Sequence, residues 1–229
     1  MRESYTFKQI AQGVWSIEGD RYDKGVHAQL RMVILPVQGG LLLHSPVPLD
    51  DGLASQLATL GEVRHLVAPN LNHHFFAKAA KQRYPNATLW GAPGLTKKQP
   101  LLGVERELES GQPFGEGLEV LCLRGVPFSN ECVFRHAASG SFICTDMVQN
   151  VQQEEHFFTR QLWRMIGVWK RLAQNRYWRF KTEDKAAAQQ TAQQLLAWNL
   201  PRVIMAHGVV VEEHGASLLR EATAWLDAR

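Results

Sequence analysis

The sequence predicts an α/β protein built as a four-layer αββα sandwich, on three observations. Short β-branched and leucine-rich runs crowd the first third, the later strands become continuous apolar runs flanked by helices, and this strand-then-helix order occurs in both halves. Such strands fit two sheets packed on each other, each covered on its outer face by helices.

The elements follow in order. "GVWSIEG", "LRMVILPV" and "GLLLHSP" read as a meander of antiparallel strands, punctuated by Gly39-Gly40, Pro46 and Pro48. "LDDGLASQLATLG" carries an Asp cap, apolar spacing at Leu53, Leu57 and Leu60, and a terminal Gly61, which together predict a helix. The strand "VRHLVA" comes next, then the polar loop "PNLNHH", a helix over about 74–83 and a strand "ATLWG". The second half supplies "GLEVLCLRG", "ECVFRHA" and "SFICTD" as strands, then a helical insertion at about 149–181 and a long helix near 183–199. The strand "RVIMA" and an amphipathic helix over about 215–226 complete the pattern.

No Pro/Gly/Ser-rich linker divides the 229 residues, so one domain over 1–229 is expected. The N-terminus lacks a basic-then-apolar leader pattern, and no apolar run approaches the ~18 residues of a membrane span, so a soluble cytoplasmic protein is expected. Cys122, Cys132 and Cys144 lie in apolar segments without a C-x-x-C pair, which reads as three buried reduced thiols. The net charge of +3 is local in origin. Residues 156–182 hold seven Lys/Arg and no Asp or Glu, leaving 3 − 7 = −4 for the rest.

In α/β folds ligands gather beyond the carboxyl ends of strands, so the residues that stop each apolar run are informative. They are Asn70, Asn72, His73 and His74 after "VRHLVA", Val126 to Glu131 after "EVLCLRG", Asp146 after "SFICT", and His207-Gly208 after "RVIMA". Each has an ordinary explanation: Asn70, Asn72 or Asp146 capping a following helix, His207 bonded to backbone, Glu131 as a solvated strand end. Those explanations do not account for all of them falling at strand ends.

These stops resemble the metallo-β-lactamase-like hydrolase superfamily over nearly the whole chain, and within it a divergent branch of unknown function. The superfamily's H-x-H-x-D-H signature becomes "NLNHHF", with Asn70 and Asn72 at two histidine positions, His74 at the aspartate position and Phe75 at the last histidine position. Its Gly-His turn becomes Gly125-Val126, whereas "CTD" with Asp146 and "MAHG" with His207 match. The resemblance implies that the first of two adjacent metal sites is lost at positions 70, 72 and 126. It implies one mononuclear zinc or iron(II) site per chain from His74 or His73, Asp146 and His207, with Asp146 and His74 as catalytic candidates, or no metal at all. Beside the solvated strand end, the functional reading of Glu131 is a hydrogen-bond partner that orients His73 or His74, because a ligating imidazole usually donates its other N–H to a carboxylate.

In the insertion, Phe158, Leu162, Met165/Ile166, Trp169 and Leu172/Ala173 recur at helical spacing, which a helix packed on the sandwich edge explains. Two further readings stand beside it. As a lid, Trp163, Trp169 and Trp178 would wall a pocket and Arg160 or Arg164 would receive an anionic group of a small-molecule substrate; as a basic amphipathic surface, 156–182 would contact an anionic membrane, the less favoured reading. Nucleic-acid binding is not expected, and no G-x-S-x-G elbow, phosphate-binding loop or dinucleotide fingerprint is present. Two functions are therefore expected as alternatives: a metal-dependent hydrolase of a small, anionic substrate, or a metal-free binding or partner-interaction protein on the same fold.

Overall fold

In a computed structural model the described residues are 5–23, 26–111 and 114–227. Strands β1 (Tyr5–Ala11), β2 (Val14–Asp23), β3 (Val26–Val37) and β4 (Gly40–His44) pair as an antiparallel meander. The parallel strands β5 (Val63–Ala68), β6 (Thr88–Gly91) and β7 (Arg106–Glu107) extend it in chain order to a seven-stranded sheet. The second sheet has the order β11-β10-β9-β8, from β8 (Leu118–Cys122), β9 (Cys132–His136), β10 (Ser141–Ile143) and β11 (Arg202–Ile204). Within it only the β10–β11 pair is parallel.

Alternation along the strands sorts their side chains into layers, because successive residues point to opposite faces. Val33, Leu35 and Leu42 of the first sheet meet Val120, Phe134 and Ile143 of the second in the central layer. Met32, Ile34 and Leu43 face the other way, onto Leu53 and Leu57 of α1 (Asp51–Leu60) and Ala77 and Ala80 of α2 (Ala77–Arg83). Beyond the second sheet, Leu121, Val133, Phe142 and Val203 pack on Ala188, Ala192 and Leu195 of α6 (Lys185–Ala197) and on Leu219 of α7 (Gly215–Thr223). The order of layers is αββα, and a short α3 (Leu95–Lys98) adds to the first helical layer.

Local chemistry sets the helix ends. Asp50 and Asp184 each accept a hydrogen bond from a backbone N–H three residues on, the N-cap geometry that starts α1 and α6. No side chain caps α2, which begins at Ala77 rather than near residue 74, because 70–76 form an irregular turn.

Two expectations need correction. Cys122 and Cys132 are directly opposed on β8 and β9, with Cα atoms 3.9 Å apart, and are joined by a disulfide; only Cys144 is a free buried thiol. Cross-strand register, which residue spacing does not reveal, brought the two together. Among the described residues no helix is long and apolar enough to cross a membrane.

The second correction concerns the insertion, which contains α4 (Phe157–Ile166) and α5 (Arg176–Phe180). The predicted stripe is only partly inward: Phe158 and Met165 are 83% and 63% exposed and α4 buries Thr159 and Trp163 in their place, whereas Ile166 and Trp169 pack inward and Leu172 and Ala173 are buried. Trp163 is held by a small cluster of Val151, Val168 and Ala173, with Val26 of β3 against it, so this cluster sets the rotation of the helix.

Candidate metal centre

Three side chains from three strand ends meet at one edge of the two sheets. His73 lies in the turn after β5, Asp146 two residues beyond Cys144 after β10, and His207 after β11. His73 Nε2 is 3.2 Å from Asp146 Oδ1 and 3.2 Å from His207 Nε2, and the third side of the triangle, His207 Nε2 to Asp146 Oδ1, is 3.3 Å.

Hydrogen bonds on the far side of each ring set the orientation. His207 Nδ1 donates to the Gln29 carbonyl at 2.7 Å, since a carbonyl can only accept. A neutral His207 therefore presents a bare Nε2 lone pair to the triangle. His73 Nδ1 lies 2.9 Å from Ser45 Oγ. The segment carrying His207 is fixed by Arg31, a buried arginine on β3 that pairs with Glu18 at 2.7 Å and donates to the carbonyls of Met205 and, at 2.8 Å, Gly208. Gly208 adopts φ +95°, and a Cβ there would fall 2.2 Å from the Asn150 carbonyl oxygen, so the residue after His207 must be glycine.

Asp146 is held from behind. Its Oδ2 accepts from Asn70 Nδ2 at 2.8 Å, while Thr145 N and Asp146 N donate to the fully buried Glu131 carboxylate at 2.6 and 3.0 Å. Asn70 Oδ1 in turn accepts from the N–H groups of Asn72 and His73, at 2.7 and 2.6 Å, and so shapes the turn that presents His73. Asn70 thus caps this turn and not α2. Glu131 supports the Asp146 backbone, where orientation of His73 or His74 was expected.

Electrostatics follow from this packing. Burial favours a neutral Asp146, but the two adjacent imidazoles outweigh it and hold the carboxyl well below its usual range. Burial opposes charge on His207, yet the Asp146 carboxylate pulls its pKa upward. Burial first, and the Asp146 charge second, push Glu131 up to about 7. The triangle thus draws positive charge: protons on the rings, or a cation shared by all three.

The geometry fits a cation. Tetrahedral ligands about 2.0–2.1 Å from a zinc or iron ion lie about 3.3–3.4 Å from one another, close to the three sides observed, and two imidazoles with a carboxylate are the donor types such ions take. His73, Asp146 and His207 would hold it. His74 is not in the triangle; its ring stacks on Phe75 at 5.0 Å, and burial and then the Lys98 charge lower its pKa. The irregular turn before Ala77, in place of an immediate helix, is what turns residue 73 inward.

The triangle opens into a cavity of about 430 Å³, walled by Val26, Leu30, Val47, Phe75 and Phe76, with Asn72 and Arg21 also lining it. Arg21 Cζ sits 5.0 and 5.4 Å from the centres of the Phe75 and Phe76 rings. Trp163 lines a neighbouring cavity that also reaches His207, whereas Trp169, Arg160 and Arg164 line neither, and Trp178 is buried in the core beside α6. The long-range partners Ser45, Gln29, Arg31 and Arg21 were not singled out from the sequence. Only Arg31, a charge inside "LRMVILPV", carried a readable signal.

Of the three positions that the resemblance assigns to a first site, 70 and 126 are closed, whereas Asn72 lines the cavity. Asn70 is saturated by its hydrogen bonds, and Val126 lies in the core on the α6 side, among Leu123, Trp178 and Ala188.

Comparison with known families and structures agrees with this fold. A family model described as a domain of unknown function, DUF4336, matches residues 11–162, more than half of the chain. The chain belongs to this family. A metallo-β-lactamase from Pontibacter korlensis is similar over 99% of this chain and 100% of its own, with a TM-score of 0.65 and 13% identity. The metallo-β-lactamase FIM-1 from Pseudomonas aeruginosa in a mono-zinc form gives 0.65 and 15%, over 98% and 97%. A metal-soaked Flv1 flavodiiron core from Synechocystis sp. PCC6803 gives 0.68 and 13%, over 98% of this chain and 61% of that one. The DUF4336 chain therefore has the metallo-β-lactamase fold. No curated protein sequence matches it.

Proposed function

We propose that this DUF4336 protein is a mononuclear metal-dependent hydrolase acting on a small substrate with an apolar body and an anionic group. The observation that carries the reading is the triangle of His73, Asp146 and His207, with 3.2–3.3 Å sides, at the floor of an apolar cavity. When bound, a zinc or iron(II) ion supplies Lewis acidity and lowers the pKa of water to about 7. The two imidazoles and the Asp146 carboxylate hold it, Gln29 and Ser45 fix the ring orientations, and Asn70 fixes the carboxylate. Val26, Leu30, Val47, Phe75 and Phe76 exclude bulk water and receive the substrate's apolar part, while Arg21 meets its anionic group.

The test is metal content and hydrolysis of a panel of aryl esters, lactones and phosphoesters, using protein purified without a polyhistidine tag. His73→Ala, Asp146→Ala and His207→Ala are each expected to bind one equivalent fewer than the parent and to lose turnover, with His74→Ala retaining the metal. Equal metal content in His207→Ala and parent would remove the reading.

A second reading, a metal-free binding protein, is favoured by the closure of the Asp146–Asn70–Glu131 network within the protein. It predicts that the chelator-treated parent still binds an apolar anion such as an aryl carboxylate, and that Arg21→Ala weakens this binding.

A further inference from the structure

A second cluster of ligating side chains lies where the β2–β3 hairpin meets the insertion. His27 on β3, Glu154, and His156 at the start of α4 bring one ligand atom each to within 4.8 Å of one another. We propose that these three residues form a second transition-metal site, of the zinc class, which clasps the insertion to the hairpin.

Three observations carry it. First, the donors have the orientation a metal site needs: His27 Nδ1 faces Glu154 Oε2 at 2.8 Å, while its other nitrogen, Nε2, is held by Asp20 Oδ1 at 3.2 Å. A carboxylate behind a ligating imidazole fixes the ring and raises its basicity. The Asp20–His27 pair repeats the arrangement at the first centre, where Gln29 and Ser45 stand behind His207 and His73. Second, the Glu154 carboxylate is nearly fully buried, with its side chain 3% exposed, and is pre-oriented by the His156 N–H on Oε1 at 2.9 Å. Third, the His156 ring sits over His27, centres 5.3 Å apart and planes at 53°, so the second imidazole is already gathered. Two imidazoles and one carboxylate suit zinc, iron, nickel or copper, and not calcium or magnesium, which take oxygen donors.

The site would act on the first centre through structure. His27 is two residues from Gln29, whose carbonyl orients His207, and its hairpin also carries Arg21, Val26 and Leu30 of the cavity wall. The His27 N–H already bonds Thr159 Oγ1 of α4 at 3.2 Å, and a cavity of about 260 Å³ runs from His27 and Glu154 to His207. A cation at His27, Glu154 and His156 would lock α4 against that wall.

The test is titration of chelator-stripped, tag-free protein with Zn²⁺ or Co²⁺, reading stoichiometry and hydrogen exchange over 154–166. The parent is expected to take up two equivalents, and His156→Ala and Glu154→Gln one, with at least a tenfold loss of affinity for the other. Zinc should slow exchange over 154–166 in the parent and in His207→Ala, but not in His156→Ala. A parent that binds one equivalent, lost in His156→Ala and kept in His207→Ala, would support this site and remove the first-centre reading. A His207→Ala protein that binds none, or stoichiometry and exchange unaltered by both His156→Ala and Glu154→Gln, would overturn the proposal.

Discussion

Two neighbouring corners of the same sheet edge, His73–Asp146–His207 and Asn70–Glu131–Thr145, are built from similar polar residues at similar strand ends and do opposite things. In the second corner acceptors meet donors: Glu131 receives two backbone N–H groups and the Asn70 amide, and Asn70 gives and receives at both ends. In the first, two ring nitrogens and a carboxylate oxygen converge on one point, with their other atoms already bonded outward. A strand-end polar residue is thus open to a ligand when its neighbours satisfy its far side and leave its near side bare. Residue type alone does not separate the two corners.

The largest effect should come from removing the anchor of the open corner. Arg31→Met leaves the buried Glu18 with only Lys8, 2.9 Å away and half-exposed, as its cation and strips donors from the Met205 and Gly208 carbonyls, so a loss approaching about 3 kcal/mol is expected in urea unfolding. Metal content should fall with it, and Glu18→Met in the same chain should recover part of the stability. A cost near zero for the single change would mean that His207 is not positioned this way.

Asn70→Ala probes the closed corner. It leaves Asp146 Oδ2 and the His73 N–H without their partner, which costs about 1–3 kcal/mol and loosens the turn that presents His73. Weaker metal binding together with lower stability is expected; a loss of stability alone would show the corners to be independent.

His44 sharpens the comparison as a buried histidine that belongs to neither corner. Burial, and next the His73 charge, lower its pKa from 6.5 to about 3, with the Phe134 ring edge-on at 5.0 Å. Because the folded value lies below the unfolded one, the unfolded chain binds more protons between pH 3 and 6.5. Its stabilising contribution is therefore present above about pH 6.5 and lost as pH falls toward 3. His44→Leu should have a flatter stability profile than the parent across that window; identical slopes would show that His44 does not stay neutral.

The smallest effect on folding belongs to Phe75→Ala. At 65% exposure this ring contributes little to stability, so a change within about 0.5 kcal/mol is expected, alongside weaker binding of apolar anions in the cavity.

Much of this was legible in the sequence where pattern and period carry it. The run "LRMVILPV" alternates across two layers as its period-2 spacing requires, and Asp50 caps α1 as the Asp before an apolar-periodic segment predicts. Asp146 and His207 were legible because each ends a strand. The choice between His73 and His74 depended on whether residues 70–76 enter a helix at once, and that was decided by Asn70 Oδ1 bonding two backbone N–H groups. The disulfide and the partners Ser45, Gln29 and Arg31 depend on pairings 10 to 178 residues apart, which local spacing does not encode. In the insertion, apolar spacing located the helix but not its buried side, because Trp163 outcompeted Phe158 and Met165 for the cluster around Val151 and Val168.

The turn at Gly125-Val126 limits what protein engineering can restore. Gly125 has φ +79°, and a Cβ there would fall 2.0 Å from the Asp184 carbonyl oxygen, at the start of α6. Glu183 and Asp184 both donate their N–H groups to the Gly125 carbonyl, so the turn is pinned to the helix. Histidines placed at 70, 72 and 126 would therefore not assemble a second metal site beside the first. The imidazole at 126 would enter the packing between Trp178 and Ala188, and a designer would have to reroute the α6 entrance before the first of the three changes had any value.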